Sequence, residues 1–184
     1  MNQTVFFVTG NPNKAAYASE QLGREINHIH LELEEIQSLN LHEIVSHKCQ
    51  QAYKIVKQPV IVEDVSLEID SLNGLPGPFV KFFLERMSLE LFCNIIPAFA
   101  SRQATARTVI GFFDGTDMQL FEGVLPGSIA QSPSGSRGFG WDGIFIPQGY
   151  ASTRAALSPE DDLKTYSILK PFDQVKTFLH SKKM

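Results

Sequence analysis

Residues 5–8, Val-Phe-Phe-Val, form an uninterrupted apolar run that stops at Thr9-Gly10-Asn11-Pro12-Asn13-Lys14. A strand with one wet face alternates apolar and polar side chains, whereas an uninterrupted β-prone run is expected where both faces are covered. The first strand, over residues 4–8, therefore calls for helices on both sides of a sheet. Residues 15–22 read as the first of these helices, with Gly23 as its stop signal. Residues 29–34 alternate and predict a second strand, residues 42–56 a helix, and residues 59–62 a short apolar strand ending at Glu63-Asp64. The turn-rich stretch at residues 73–78, NGLPGP, precedes a long aromatic helix over residues 79–96 that carries Lys81 and Arg86. Residues 105–114 and 118–125 flank Asp114-Gly115-Thr116-Asp117 as a hairpin. A Ser/Gly-rich loop at 131–140, a strand at 143–147 and a helix at 171–179 complete the reading. Strands that first alternate with helices and then form a hairpin predict an α/β fold with a mixed sheet.

The chain has 184 residues, 43% of them hydrophobic and 20% charged, which is the composition of an ordinary globular protein. One domain over 1–184, built as two lobes sharing one sheet, is expected. A net charge of −4 disfavours a nucleic-acid-binding module, which needs a basic footprint. No apolar run approaches the roughly 20 residues that cross a bilayer, and no basic stretch followed by an apolar core suggests a signal peptide. A cytoplasmic protein without membrane or nucleic-acid partners is expected. Cys49 and Cys93 lie far apart with no further cysteine beside them, and are read as reduced, partly buried thiols.

Three stretches carry candidate chemistry. A strand entering a glycine turn and then a helix presents backbone N–H groups and the positive end of a helix dipole, suited to phosphate, with Lys14 adding a charge. The spacing is not that of a P-loop, and a plain strand–turn–helix junction explains the same residues. Glu63-Asp64, following an apolar strand, is a pair of carboxylates able to hold Mg²⁺ and activate a water, with Glu35 as a third oxygen ligand. Solvated acids at a strand end are the alternative. Phe139 and Trp141 beside Asp142, within GFGWDGIF, suit a nucleobase that stacks and is read at its edge, or else plug a core next to a turn.

Taken in order, VTGNPNK, LEEIQS, HEIVSHKCQQA, VIVEDVSLEIDSLNGLPGPFVKFF, FEGVLPGSI and GFGWDGIFIPQGY resemble the inosine triphosphate pyrophosphatase family. The resemblance covers residues 5–150, and its most specific pieces are ED…LNGLPGP and FGWD. It implies an elongated mixed β-sheet with flanking helices, in two lobes around a central nucleotide cleft, in a homodimer. It also implies Mg²⁺-dependent cleavage of nucleoside triphosphates to monophosphate and pyrophosphate, with ITP, dITP and XTP as substrates. By the same resemblance Thr9, Asn11 and Lys14 cradle the triphosphate, while Lys48 and Lys81 neutralise its charge. Glu35, Glu63 and Asp64 bind the metal, with Asp64 and Glu63 as the catalytic pair and Asp64 activating the water. Gly77 and Pro78 shape the cleft, Phe139 stacks on the base, and Trp141 with Asp142 lines its pocket.

The family pattern breaks after residue 150. A Ser-His-Arg triplet that reads the base is replaced by Tyr166-Ser167-Ile168, and Asp162 stands where a lysine is expected. Val65 replaces a hydroxyl residue, and Gly143 a proline. These departures fall on the base-reading end, so retained phosphate chemistry with altered base selectivity is expected. Lys164 and Lys170 are the nearest cations to stand in for the lost arginine, although a point charge does not copy its fork. The alternative is a catalytically weak or inactive nucleotide-binding paralogue with a regulatory role.

Overall fold

The structure, a computed structural model, describes residues 4–23 and 26–182. Its strands are β1 (Phe6–Val8), β2 (Asn27–Ile29), β3 (Val60–Ile69), β4 (Pro76–Gly77), β5 (Gln103–Phe113), β6 (Met118–Ile129) and β7 (Phe145–Pro147). Its helices are α1 (Pro12–Leu22), α2 (Leu41–Val56), α3 (Val80–Arg86), α4 (Leu89–Asn94), α5 (Pro159–Leu169) and α6 (Phe172–Ser181). The strands form one seven-stranded sheet in the order β2-β1-β3-β5-β6-β7, with β4 paired to β3. β1 is parallel to β2 and β3, while β3–β4 and β6–β7 are antiparallel, so the sheet is mixed as predicted.

The chain divides into two compact units. Unit 1 is Met1–Asp64, Thr108–Glu122 and Lys170–Met184; unit 2 is Val65–Arg107 and Gly123–Leu169. In unit 1 the apolar runs are covered on both sides, as the first strand requires. Phe7 and Ile61 belong to a core with Ala15, Ala18 and Leu22 of α1 and Phe172, Val175 and Leu179 of α6. Val8, Val60 and Val62 belong to a second core with Leu41, Val45, Cys49 and Ala52 of α2. Successive strand residues point to opposite faces, so at the start of β3 Ile61 meets α1 and α6 while Val60 and Val62 meet α2. The core of unit 2 is built from Leu67, Ile69, Val80, Phe92, Ala106, Ile129, Ile144, Phe145 and Leu169, among others.

Four expectations are corrected. The second strand is three residues, Asn27–Ile29, instead of residues 29–34, because its parallel partner β1 ends at Val8 and no ladder remains beyond Ile29. Past it the Gln51 side chain takes over the partner's role, accepting from the Glu34 N–H at 3.0 Å and donating to the Glu34 carbonyl at 3.1 Å. The third strand does not end at Glu63-Asp64 but runs on to Ile69, its Val65, Leu67 and Ile69 alternating with Ser66 and Glu68. The aromatic helix is two helices, broken where Ser88 caps α4 by accepting from the Leu91 N–H at 3.2 Å. Finally, residues 159–169, read only as a divergent motif, form helix α5. The hairpin stands as predicted: Asp114 Oδ1 accepts from the N–H groups of Thr116 and Asp117 at 3.0 and 2.8 Å, closing the turn.

Candidate active site

Alternation along β3 sends the two adjacent acids to different partners. Glu63 follows Ile61 onto the α1/α6 side, where its side chain is 2% exposed. There Lys170 Nζ lies at 2.5 Å and Lys14 Nζ at 3.2 Å from Glu63 Oε1. Burial pushes the Glu63 carboxyl up, but the charges and hydrogen bonds of Lys170 and Lys14 outweigh it and bring its pKa down to about 2. Asp64 follows Val62 onto the α2 side, where Lys48 Nζ donates to its Oδ2 at 2.6 Å and to Glu35 Oε1 at 2.7 Å. Burial pulls the Lys48 ammonium down, and the Asp64 and Glu35 charges more than restore it, leaving its pKa raised.

Lys14 and Lys48 are each delivered by a helix with a readable start, while Lys170 lies in the short connection between α5 and α6. Asn40 caps α2, its Oδ1 accepting from the N–H groups of His42 and Glu43 at 3.0 and 3.4 Å. Lys48 then sits one turn beyond Ile44 on the flank of the buried stripe Leu41, Ile44, Val45, Cys49 and Ala52. α1 opens with Pro12, at the position where a missing N–H costs nothing. The N–H groups of Lys14 and Ala15 return to the Asn11 carbonyl at 3.1 and 3.3 Å. Ahead of the helix, Thr9 Oγ1 accepts from the Asn11 N–H at 3.1 Å. The first turn of α1 carries no acidic side chain, so nothing on it opposes an anion at the helix start.

Unit 1 thus brings together Lys14 with Glu63, and Lys48 with Asp64 and Glu35, whereas the sequence reading sets Lys14 with Thr9 and Asn11, Lys48 with Lys81, and the three acids together as metal ligands. Lys81 is an exposed residue of α3 in unit 2 and takes no part in these ion pairs. Three further residues were missed. Lys170, read as a stand-in for a base-reading arginine, is instead buried on Glu63, 107 residues away in sequence. His28 Nε2 hydrogen-bonds the Thr9 carbonyl at 2.8 Å, and the His30 ring lies so near Gly10 that a Cβ there would stand 3.0 Å from its Nε2. Nothing in a short polar segment signals that its histidines brace a loop 19 residues earlier.

A hard divalent cation fits this donor set. Among the described residues no three His, Cys, Asp or Glu side chains converge as a metal cage. Glu35 and Asp64, however, reach one common cation position, which the Lys48 ammonium takes. Mg²⁺ is ordinarily held by one or two carboxylates with substrate phosphates completing its shell, and a pair of acids is that number.

Unit 2 holds the aromatic stretch. Phe139, between Gly138 (φ +75°) and Gly140 (φ +63°), is 52% exposed. Trp141 packs against the unit 2 core, and its indole N–H is buried with no hydrogen-bond partner. Asp142 accepts the Phe139 N–H on Oδ2 at 3.0 Å and Arg154 Nη1 on Oδ1 at 2.9 Å. Arg154, 3% exposed, also donates from Nη2 to Asp162 Oδ1 at 2.7 Å. Asp162, a charge reversal on sequence grounds, therefore answers a buried guanidinium. Lys164 lies at the surface on Glu160 and Asp161. Both cysteines are buried free thiols, and burial pushes Cys49 up to about 12, as inert packing residues require.

The resemblance read from the motifs is borne out by comparison with known proteins. The model of the Ham1 family matches residues 5–175. An inosine triphosphate pyrophosphatase of Schizosaccharomyces pombe is 40% identical over 163 residues, 86% of each chain. A dITP/XTP pyrophosphatase of Methanopyrus kandleri is 37% identical over 164 residues, 87% of each chain. A HAM1 protein from Coxiella burnetii, 24% identical, shares the fold with a TM-score of 0.84 over 97% of this chain and 99% of that one. A match over nearly the whole length, together with the mixed sheet that these residues build, means that this chain belongs to the Ham1 family.

Proposed function

We propose that this protein is a Mg²⁺-dependent nucleoside triphosphate pyrophosphatase acting on non-standard purine nucleotides such as ITP, dITP and XTP, with altered base selectivity. The observation that carries the reading is the pairing of adjacent β3 acids with three lysines, Glu63 with Lys14 and Lys170, Asp64 with Lys48. A triphosphate needs cations to screen it and a carboxylate to take a proton from water, and this grouping supplies both. The names of the curated relatives support the same chemistry.

In this reading the loop Thr9, Asn11 and the start of α1 receive the phosphates, while Lys14, held at the loop by Glu63, screens them. Lys48 and Lys81 add positive charge. Glu35 and Asp64 would hold the metal ion, while Glu63, which the sequence reading assigns to the same ion, faces the other way onto Lys14 and Lys170. When bound, the ion polarises phosphate oxygens as a Lewis acid. The attacking water's oxygen bonds to the α-phosphorus, the bridge to the β-phosphate breaks, and the proton passes to an Asp64 carboxylate oxygen. Phe139, with Trp141 and Asp142, receives the base. Its selectivity is altered because Tyr166-Ser167-Ile168 offers no guanidinium to a base edge, a loss on the order of 1–3 kcal/mol by analogy with base readout in DNA. A cytoplasmic homodimer accompanies this reading, and sedimentation of the purified protein tests the dimer.

Pyrophosphate release from a panel of standard and deaminated nucleoside triphosphates, with Mg²⁺ and with chelator, tests the activity. Release with Mg²⁺ and none with chelator is expected. The same departures at 166–168 support the second reading, a nucleotide-binding paralogue without turnover. Binding without release from any substrate would establish that one instead.

A further inference from the structure

The buried charge of unit 2 takes no part in the phosphate chemistry proposed above, yet almost every edge of it is engaged. A guanidinium is seldom taken out of water, and where it is, its fork must be matched group by group. Arg154 meets that demand. Nη1 reaches Asp142, Nη2 reaches Asp162, Nε donates to Thr165 Oγ1 at 3.2 Å, and the guanidinium carbon stands 4.7 Å over the ring of Tyr166. Thr165 in turn donates to the Asp162 carbonyl at 2.9 Å, so two of the partners are tied to each other.

From this point the chain of contacts leads outward. Asp142 accepts from Arg154 on one oxygen and from the Phe139 N–H on the other. Gly138 leaves no room for a Cβ against that carboxylate. Phe139 is thereby held at a backbone atom while its ring stays half exposed. The segment that the family pattern assigns to the base is turned to other uses. Tyr166 lies under Arg154, the Ser167 hydroxyl donates to the Leu163 carbonyl at 2.9 Å, and Ile168 is 56% exposed.

We propose that Arg154 is the positioning residue of the base end: it orients Asp142, and through it sets the pose of Phe139 against the base. The proposal rests on the nucleotide reading above. It assigns the role to a guanidinium that never touches the ligand, at a position outside the segment 166–168.

The test uses Trp141, the chain's single tryptophan, which lies between Phe139 and Asp142 and reports on this loop. Its emission is followed while ITP, and separately inorganic tripolyphosphate as a base-free probe, is titrated into wild type, Arg154→Lys, Arg154→Met and Asp162→Asn. Arg154→Lys keeps the charge and loses the fork. It is expected to weaken ITP on the order of tenfold, in Kd and KM, with kcat and tripolyphosphate affinity within about threefold. Arg154→Met is expected to do more and Asp162→Asn less. Should Arg154→Met fail to fold, the lysine and asparagine variants decide. Wild-type ITP affinity and emission in Arg154→Lys, or equal losses for ITP and tripolyphosphate, would overturn the proposal. Because the readout is binding, a wild type that binds ITP but releases no pyrophosphate ends the enzyme reading alone. A wild type that does not respond to ITP ends both.

Discussion

In unit 1 three lysines share three carboxylates, Lys48 between Glu35 and Asp64, Lys14 and Lys170 both on Glu63. In unit 2 one guanidinium takes two carboxylates, a hydroxyl and an aromatic face. An ammonium is a point charge with rotatable donors, so it trades a carboxylate for a phosphate with little change in geometry. A guanidinium fork has fixed directions, and one matched to its neighbours fixes theirs. The first arrangement suits a site that must accept a highly charged ligand and release its products. The second suits a scaffold. Under the proposed function the unit 1 cluster does the chemistry and the unit 2 cluster holds shape.

The largest expected effect breaks the chemistry of unit 1 alone. Asp64→Asn should lower kcat by on the order of 10²–10⁴ while leaving nucleotide affinity within a few-fold, measured by pyrophosphate release beside calorimetric binding. Equal activity would take Asp64 out of the mechanism and erase the contrast between the units. Next comes pH. The Glu63 pKa is lowered from 4.5 to about 2, so its stabilising contribution is complete above 4.5 and lost as pH falls toward 2. The total is ~3 kcal/mol, at 1.36 kcal/mol per pKa unit. Urea midpoints of wild type and Glu63→Gln should therefore converge between pH 4.5 and 2; a constant gap would show that the lysines do not hold Glu63 ionised. The smallest effect is expected at Lys164, paired at the surface with Glu160 and Asp161. Lys164→Ala should leave both the melting temperature and the ITP-to-GTP preference unchanged. A shifted preference would mean that a lysine reads the base, and that the base end of unit 2 does more than hold shape.

What the sequence revealed follows how local the cause was. α2 was legible because its cap and its buried stripe lie within one segment, and the hairpin because Asp114 closes its own turn. That Lys14, Lys48, Glu35 and Asp64 are candidate site residues was legible through the family motifs around them, but their ion pairing with one another was not. The acid pair, by contrast, was misread as a strand end. Two consecutive charges look like a stop, and only partners from α1, α2 and Lys170, between α5 and α6, make them tolerable inside a strand. Arg154 was invisible for a similar reason. Its partners lie 12, 8 and 11 residues away, on a loop and on a helix that the divergent motif concealed. Asp162 looked like a lost charge because its answering charge sits at a position with no local pattern.

The course of β3 also has a consequence for how this chain can change over evolutionary time. Glu63 and Asp64 find their lysines only because one is odd and the other even along the strand, counted from the apolar residues that anchor it. A single-residue insertion or deletion between Val60 and Glu63 would present the longer acid to Lys48 and the shorter one to the buried pair of lysines. Surface loops without such contacts tolerate a change of length, but this stretch can vary only by substitution. Related chains should accordingly keep their length there.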